Sequence, residues 1–134
     1  MKKEQLNNLT PLYTFKGIVV HGKGLGRSVG MPTANVYNAP MPSIPFGVYS
    51  TIIKIDDEAF MAVTNVGTRP SVDNMDIVTV EAHIIDFDRD IYDKEVTLYF
   101  YKRIRGIKKF PSLRDVKIQV DKDIEFTRKL LSYE

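Results

Sequence analysis

Val78-Thr79-Val80-Glu81-Ala82-His83-Ile84 alternates apolar and polar residues at every step. A period of two places Val78, Val80, Ala82 and Ile84 on one face of a β-strand and Thr79, Glu81 and His83 on the other. Similar β-prone runs recur on both sides of it, at Tyr13–Val20, Thr33–Val36, Val48–Ile55, Ala59–Val66, Ile77–Phe87 and Glu95–Ile104, punctuated by Gly, Pro and Asn. Asp56-Asp57-Glu58 is short enough for a hairpin. Between the second and third runs, Pro40, Pro42 and Pro45 forbid a central strand and predict a stiff surface loop. Only the C-terminus reads as helix. Ser112 and Asp115 have the spacing of a capping box, and Leu113, Val116, Val120, Ile124, Thr127 and Leu131 follow as one apolar stripe. Phe110-Pro111 stops that helix from extending backward. The pattern predicts an all-β (mainly β) domain, a small antiparallel barrel with a C-terminal α-helix packed against it.

At 134 residues the chain forms one domain able to bury a core without cross-links. Residues 1–11 read as a polar tail or linker remnant, and 12–134 as the domain. The absence of cysteine excludes disulfides and thiolate metal sites and fits a cytoplasmic location. No apolar run is long enough for a membrane span, and MKKEQLNN is followed by no apolar stretch that would make a signal peptide. The net charge of +2 gives no argument for nucleic acid and is compatible with one local basic site for a polyphosphate. The expected state is a monomer, unless the domain belongs to a longer chain.

His21 to Val36, HGKGLGRSVGMPTANV, puts glycines and two basic residues directly before Pro32-Thr33-Ala34-Asn35. Two readings stand: a polar loop leading into a Pro-capped strand, or a turn whose N–H groups approach a phosphate chain closely. Thr33 and Asn35 would share one side of an extended segment, as neutral oxygen ligands of a hard cation would. The spacing is neither a Walker A loop nor a dinucleotide fingerprint. Glu81 is either a solvent-facing strand residue or a general base for a substrate hydroxyl. His83 reads as structural, and His21 as shaping the turn. The basic stretch from Lys102 to Lys109 reads by default as a solvated strand end.

Gly26-Arg27-Ser28-Val29-Gly30-Met31-Pro32-Thr33-Ala34-Asn35 resembles the Gly-Arg-x-x-Gly-x-Pro-Thr-Ala-Asn signature of the riboflavin kinase (flavokinase) family. Gly47-Val48-Tyr49, Asn65-Val66-Gly67-Thr68-Arg69-Pro70, Val80-Glu81-Ala82-His83, Asp86-Phe87-Asp88, Ile91-Tyr92, Arg105 and Lys109-Phe110 follow in the family's order, so the resemblance runs from about Phe15 to Leu131. It implies a six-stranded Greek-key barrel and an ATP:riboflavin 5′-phosphotransferase that makes FMN, similar to the kinase domain of bacterial bifunctional riboflavin kinase/FAD synthetases. Matched residue by residue, it makes Glu81 the catalytic base and puts Thr33 and Asn35 on the Mg²⁺ that accompanies ATP. Gly22, Lys23, Gly24, Gly26, Arg27 and Gly30 would wrap the polyphosphate. Arg105 to Phe110 would close over the flavin, with Arg105 and Phe110 as its contacts. The Asn65 to Pro70 segment reads as a strand end and glycine turn, mostly architectural, with Asn65 and Arg69 open to ligand contact.

Two positions depart from the family's pattern. Asp93 stands where Gly is common, and Ile107 where an acidic residue is common; both are expected to border the flavin pocket. They motivate an alternative, a catalytically weak flavin- or nucleotide-binding regulatory module of the same fold. A barrel that binds single-stranded nucleic acid through Tyr99 and Tyr101 is disfavoured by the near-neutral charge. No HxGH-type motif occurs, so adenylylation of FMN is not expected of this polypeptide, whether it stands alone or is an excised domain.

Overall fold

A computed structural model describes residues 10–21, 33–70, 73 and 75–131. In chain order come β1 (Tyr13–Val20), β2 (Ala34–Tyr37), β3 (Gly47–Ile55), β4 (Glu58–Pro70), β5 (Asp76–Ile84), β6 (Glu95–Arg105) and one helix, α1 (Leu113–Leu131). Every pairing is antiparallel and the sheet closes in the order β1-β2-β5-β4-β3-β6. β3, β4 and β5 form a meander and β6 returns beside β3, which is Greek-key order. Closure pairs β6 with β1 as well, so the described strands form a closed barrel.

The period-two pattern fills the barrel. Val80, Ala82 and Ile84 of β5 point inward to meet Phe15 and Val19 of β1, Ala34 and Val36 of β2, and Leu98 and Phe100 of β6. Tyr49 packs edge-on against Phe100 at 5.2 Å, and its hydroxyl donates to the Pro45 carbonyl. Two buried threonines satisfy each other: Thr51 and Thr64 hydroxyls lie 2.8 Å apart, and Thr51 also donates to the Ala62 carbonyl at 3.0 Å.

β3 is buried on both faces, because its outer side lies under the helix. There Val48, Val63 and Ile85 form a second small core with Met61, Ile104 and Ile124, and Ser50 shares a buried 2.7 Å hydrogen bond with Thr127. The helix begins as its capping residues predict: the Asp115 N–H donates to Ser112 Oγ at 3.1 Å, and that hydroxyl donates to Asp115 Oδ2 at 3.0 Å.

Several boundaries differ from the sequence reading. β4 does not turn at Gly67; it runs on to Pro70, because Gly67 pairs with Thr79 and Pro70 with Asp76. β5 ends at Ile84 rather than Phe87, since Asp86 has φ 55 and the Ile85 N–H donates to the Met61 carbonyl at 2.9 Å. The proline segment is not purely superficial: Pro42 is buried, and Met41 and Ile44 pack against the barrel core. In the helix, Leu113 is 58% exposed, while Asp123, a charge inside the expected apolar stripe, is buried. Residues 1–9 of the expected tail lie outside the described residues.

Candidate active site

Glu81 occupies the middle of a row that crosses the barrel wall. Asn35 of β2 is its Cα partner on one side and Asn65 of β4 on the other. Asn65 in turn opposes Val48 of β3, and Val48 opposes Arg105 of β6. Directly opposed residues share a face of a sheet, and the inward Val80 and Ala82 on either side of Glu81 put this row on the outside. A carboxylate is therefore flanked by two neutral amides, with a cationic residue at the end of the row.

The row opens into a cavity of about 270 Å³ between the barrel and α1. Thr33, Asn65, Glu81 and His83 provide its polar wall, Val48, Val63, Val116 and Val120 its apolar walls, and Arg105, Ile107, Lys108 and Phe110 the remaining side. Arg105 is fixed there. Its Nη2 donates to Asp123 Oδ2 at 2.9 Å and its Nε to the same oxygen at 3.1 Å, and its guanidinium lies 5.7 Å from the centre of the Phe110 ring. Asp123, 1% exposed, also accepts from Gln119 Nε2 at 3.0 Å. Charge-assisted bonds of this kind are both stronger and more directional than neutral ones.

A second cavity of about 300 Å³ lies between the barrel strands and the 87–92 loop, lined by Thr33, Ala82 and Ile84 together with Phe87 to Tyr92. Arg89 sits over the rings of Phe60 and Phe87, at 5.2 and 4.9 Å from their centres, while bonding Glu58 at 3.0 Å. Tyr92 stacks on His21 at 3.7 Å. Thr33 is the one residue common to the linings of both cavities. Asn35 opens instead into a third cavity, between β2 and β5.

Thr33 and Asn35 lie on either side of the inward Ala34; Asn35 is beside Glu81 in the row, and Thr33 lines the first two cavities. Among the described residues no group of three or more His, Asp or Glu could hold a metal. That donor set suits a Mg²⁺ that arrives with phosphate oxygens and takes only one or two protein ligands.

Among the residues expected to form the site, Thr33, Glu81, Arg105 and Phe110 line the helix-side cavity, while Asn35 pairs with Glu81 but lines the third cavity. Gly22, Lys23, Gly24, Gly26, Arg27 and Gly30 lie outside the described residues. Ile107 lines the helix-side cavity, and Asp93 is not among its lining residues. The sequence reading missed Asp123 and Arg89. A carboxylate at a core-facing position of the helix stripe was the available signal for Asp123; nothing in the local pattern pointed to Arg89.

A closed Greek-key barrel, with the Glu81 row beside a partly apolar cavity under its described helix, has the form of a small-molecule site. The family model described as flavokinase, riboflavin kinase, matches residues 9–131, and the chain belongs to the riboflavin kinase family. A bifunctional riboflavin kinase/FMN adenylyltransferase of Haemophilus influenzae is 38% identical over 89% of this chain and 39% of its own length. A crystal structure described as a macrolide-efflux protein from Streptococcus pneumoniae superposes with a TM-score of 0.79 at 36% identity, over 88% of this chain and 38% of that one. The structure of riboflavin kinase from Trypanosoma brucei shares the fold, with a TM-score of 0.65 at 24% identity over 92% of this chain and 82% of that one. The chain thus spans about 39% of the length of the bifunctional relative it matches. No helix among the described residues is long and apolar enough to cross a membrane.

Proposed function

We propose that this chain transfers the γ-phosphoryl group of Mg-ATP to the 5′-hydroxyl of riboflavin, making FMN and ADP. The observation that carries the reading is the placement of Glu81: it faces the same cavity as Arg105 and Phe110, and Thr33 joins that cavity to a second one. Two substrates held in adjoining cavities can meet at one wall, which is what a direct in-line transfer requires.

In this reading the flavin ring lies in the helix-side cavity against Val48, Val116, Val120 and Phe110. Apolar walls suit the ring, and the polar wall suits the ribityl chain. Glu81 accepts the proton of the attacking hydroxyl as the oxygen–phosphorus bond forms and the bond to the ADP oxygen breaks. Asn35 and Asn65 stand on either side of Glu81 in the row. Thr33 and Asn35 would hold the cation that accompanies ATP. Magnesium, when bound with ATP, offsets charge on the phosphate oxygens.

Incubating the purified chain with riboflavin and Mg-ATP and following FMN by chromatography tests this. FMN formation that depends on both ATP and divalent metal is expected. No FMN across several nucleotides and metals would remove the assignment.

A further inference from the structure

His21 and Tyr92 stack face to face, with ring centres 3.7 Å apart and planes 19° from parallel. Val20, the residue before His21, pairs with Asn35, which pairs with Glu81, so His21 leaves β1 at the level of the Glu81 row. The turn from Ile91 to Lys94 is tied to the same strand end. The Asp93 N–H donates to the Val19 carbonyl at 2.8 Å, and the Val19 N–H to the Lys94 carbonyl at 3.0 Å. Within the turn, the Tyr92 N–H donates to Asp90 Oδ1 at 3.0 Å and the Lys94 N–H to the Ile91 carbonyl at 3.1 Å. These bonds fix the backbone of Tyr92, and the stack fixes its ring.

Tyr92 packs on the barrel core and lines the 300 Å³ cavity that shares Thr33 with the helix-side one. Ile84, Phe87 and Ile91 give that cavity apolar surface beside the Tyr92 ring, a lining that suits a planar base. His21 is exposed and is not among the lining residues, so its contact bears on the wall from outside the cavity. A tyrosine in a turn can rotate about its side-chain bonds, and a ring already held in the binding rotamer lowers the ordering cost when a ligand enters.

We propose that His21 is a positioning residue for the phosphoryl donor, whose identity as Mg-ATP rests on the kinase reading. Stacked on Tyr92, the imidazole holds that ring as a preformed wall of the cavity on the donor side of Thr33. His21 acts through Tyr92, touches neither substrate and moves no proton. The role expected from its place in the sequence, shaping the turn that it begins, is thereby extended to the opposite loop.

The test uses the full chain and the variants His21→Ala, His21→Phe, Tyr92→Leu and the double variant His21→Ala/Tyr92→Leu. His21→Ala should raise KM for Mg-ATP about three- to tenfold, the size of one stacked ring pair, with KM for riboflavin near wild type. His21→Phe keeps a flat ring on Tyr92 and should restore KM for Mg-ATP to within about twofold of wild type. On top of Tyr92→Leu, the change His21→Ala should add less than about twofold, because the partner it acts through is already gone. An unchanged KM for Mg-ATP in His21→Ala, a parallel rise in both KM values, no rescue by His21→Phe, or a full additional loss on Tyr92→Leu would each overturn the role. Calorimetric titration with Mg-ADP separates this outcome from the fate of the kinase reading. If the wild type makes no FMN, yet Mg-ADP binds more weakly to His21→Ala and normally to His21→Phe, the positioning role stands and the kinase reading falls. If FMN forms and Mg-ADP affinity is the same in every variant, the positioning role falls and the kinase reading stands. A wild type that neither makes FMN nor binds Mg-ADP removes both.

Discussion

Arg105 at the end of β6 and Asp123 in the middle of α1 are joined by a buried ion pair, with Nη2 to Oδ2 at 2.9 Å. The two residues are eighteen apart in sequence, and the segment between them supplies the loop and the first half of the helix. The pair therefore ties together three walls of the helix-side cavity: the strand end, the 106–110 loop and the helix. The cation–π contact to Phe110 extends the same unit to the residue expected to cover the flavin.

Removing one partner of that pair isolates the other. Asp123→Ala should leave the guanidinium, 22% exposed at its side chain, without a counter-charge, and Gln119 without its acceptor. A loss of about 3 kcal/mol in unfolding free energy is expected, at the low end for a broken buried pair because Arg105 keeps some access to water. Urea unfolding measures it. Riboflavin binding, followed by quenching of flavin fluorescence, should weaken in parallel. An Asp123→Ala protein as stable as the wild type would mean that the helix is held by Ser50–Thr127 and the apolar contacts alone.

Glu81→Gln keeps the shape and the neutral neighbours of the row and removes only the proton acceptor. FMN formation should fall by about 100- to 10,000-fold, the range for a positioned general base. The Mg-ATP and riboflavin affinities should stay near wild type, since Thr33, Asn35 and Phe110 are untouched. A Glu81→Gln enzyme of near-normal rate would take the base role away from this residue.

The barrel was legible because its signal is local. Val78 to Ile84 states its inner and outer faces residue by residue, and the same alternation sets the bounds of β1 exactly at Tyr13–Val20. Ser112 and Asp115 marked the helix start for the same reason: a cap is a contact between near neighbours. What was hidden depends on partners far along the chain. Gly67 reads as a turn until Thr79 is known to pair with it, and Asp123 reads as a misplaced charge until Arg105 is placed beside it. Glu81 could be put on an outward face from its own strand. That Asn35 and Asn65 flank it is a matter of register between strands, which alternation does not specify.

Tyr49 gives the fold a pH dependence at the alkaline end. Burial inside the barrel pushes its phenol above the ordinary value of 10.0, and the charge and hydrogen bond of Arg103 only partly counter this. The unfolded chain ionises first as pH rises, so the stability tied to the neutral phenol is complete below about pH 10 and is lost through the folded value. Urea unfolding at increasing pH should show a steeper decline for the wild type than for Tyr49→Phe. At neutral pH the same variant should be less stable by about 1 kcal/mol, having lost the hydrogen bond to the Pro45 carbonyl. Parallel declines for the two proteins would show that other groups govern the alkaline limb.

Asp93 carries φ 70, the left-handed region, where the family commonly has glycine. Its N–H donates to the Val19 carbonyl at 2.8 Å, so the strained backbone is pinned to the end of β1, next to the Tyr92 ring that stacks on His21. An L-residue there is strained by roughly 1 kcal/mol, somewhat less for Asp than for most. Glycine relieves the strain but adds freedom to the unfolded chain, which takes back part of the gain. Asp93→Gly should therefore stabilise by only about 0.5 kcal/mol, and Asp93→Ala should destabilise by about 1 kcal/mol. Riboflavin affinity should be unchanged in Asp93→Gly, because residue 93 is not among those lining the helix-side cavity. Thermal unfolding and flavin-fluorescence titration of the two variants decide the matter. Equal stability of Asp93→Ala and the wild type would show that this turn relaxes out of the left-handed region, and a changed flavin affinity in Asp93→Gly would place the 92–93 turn at the substrate after all.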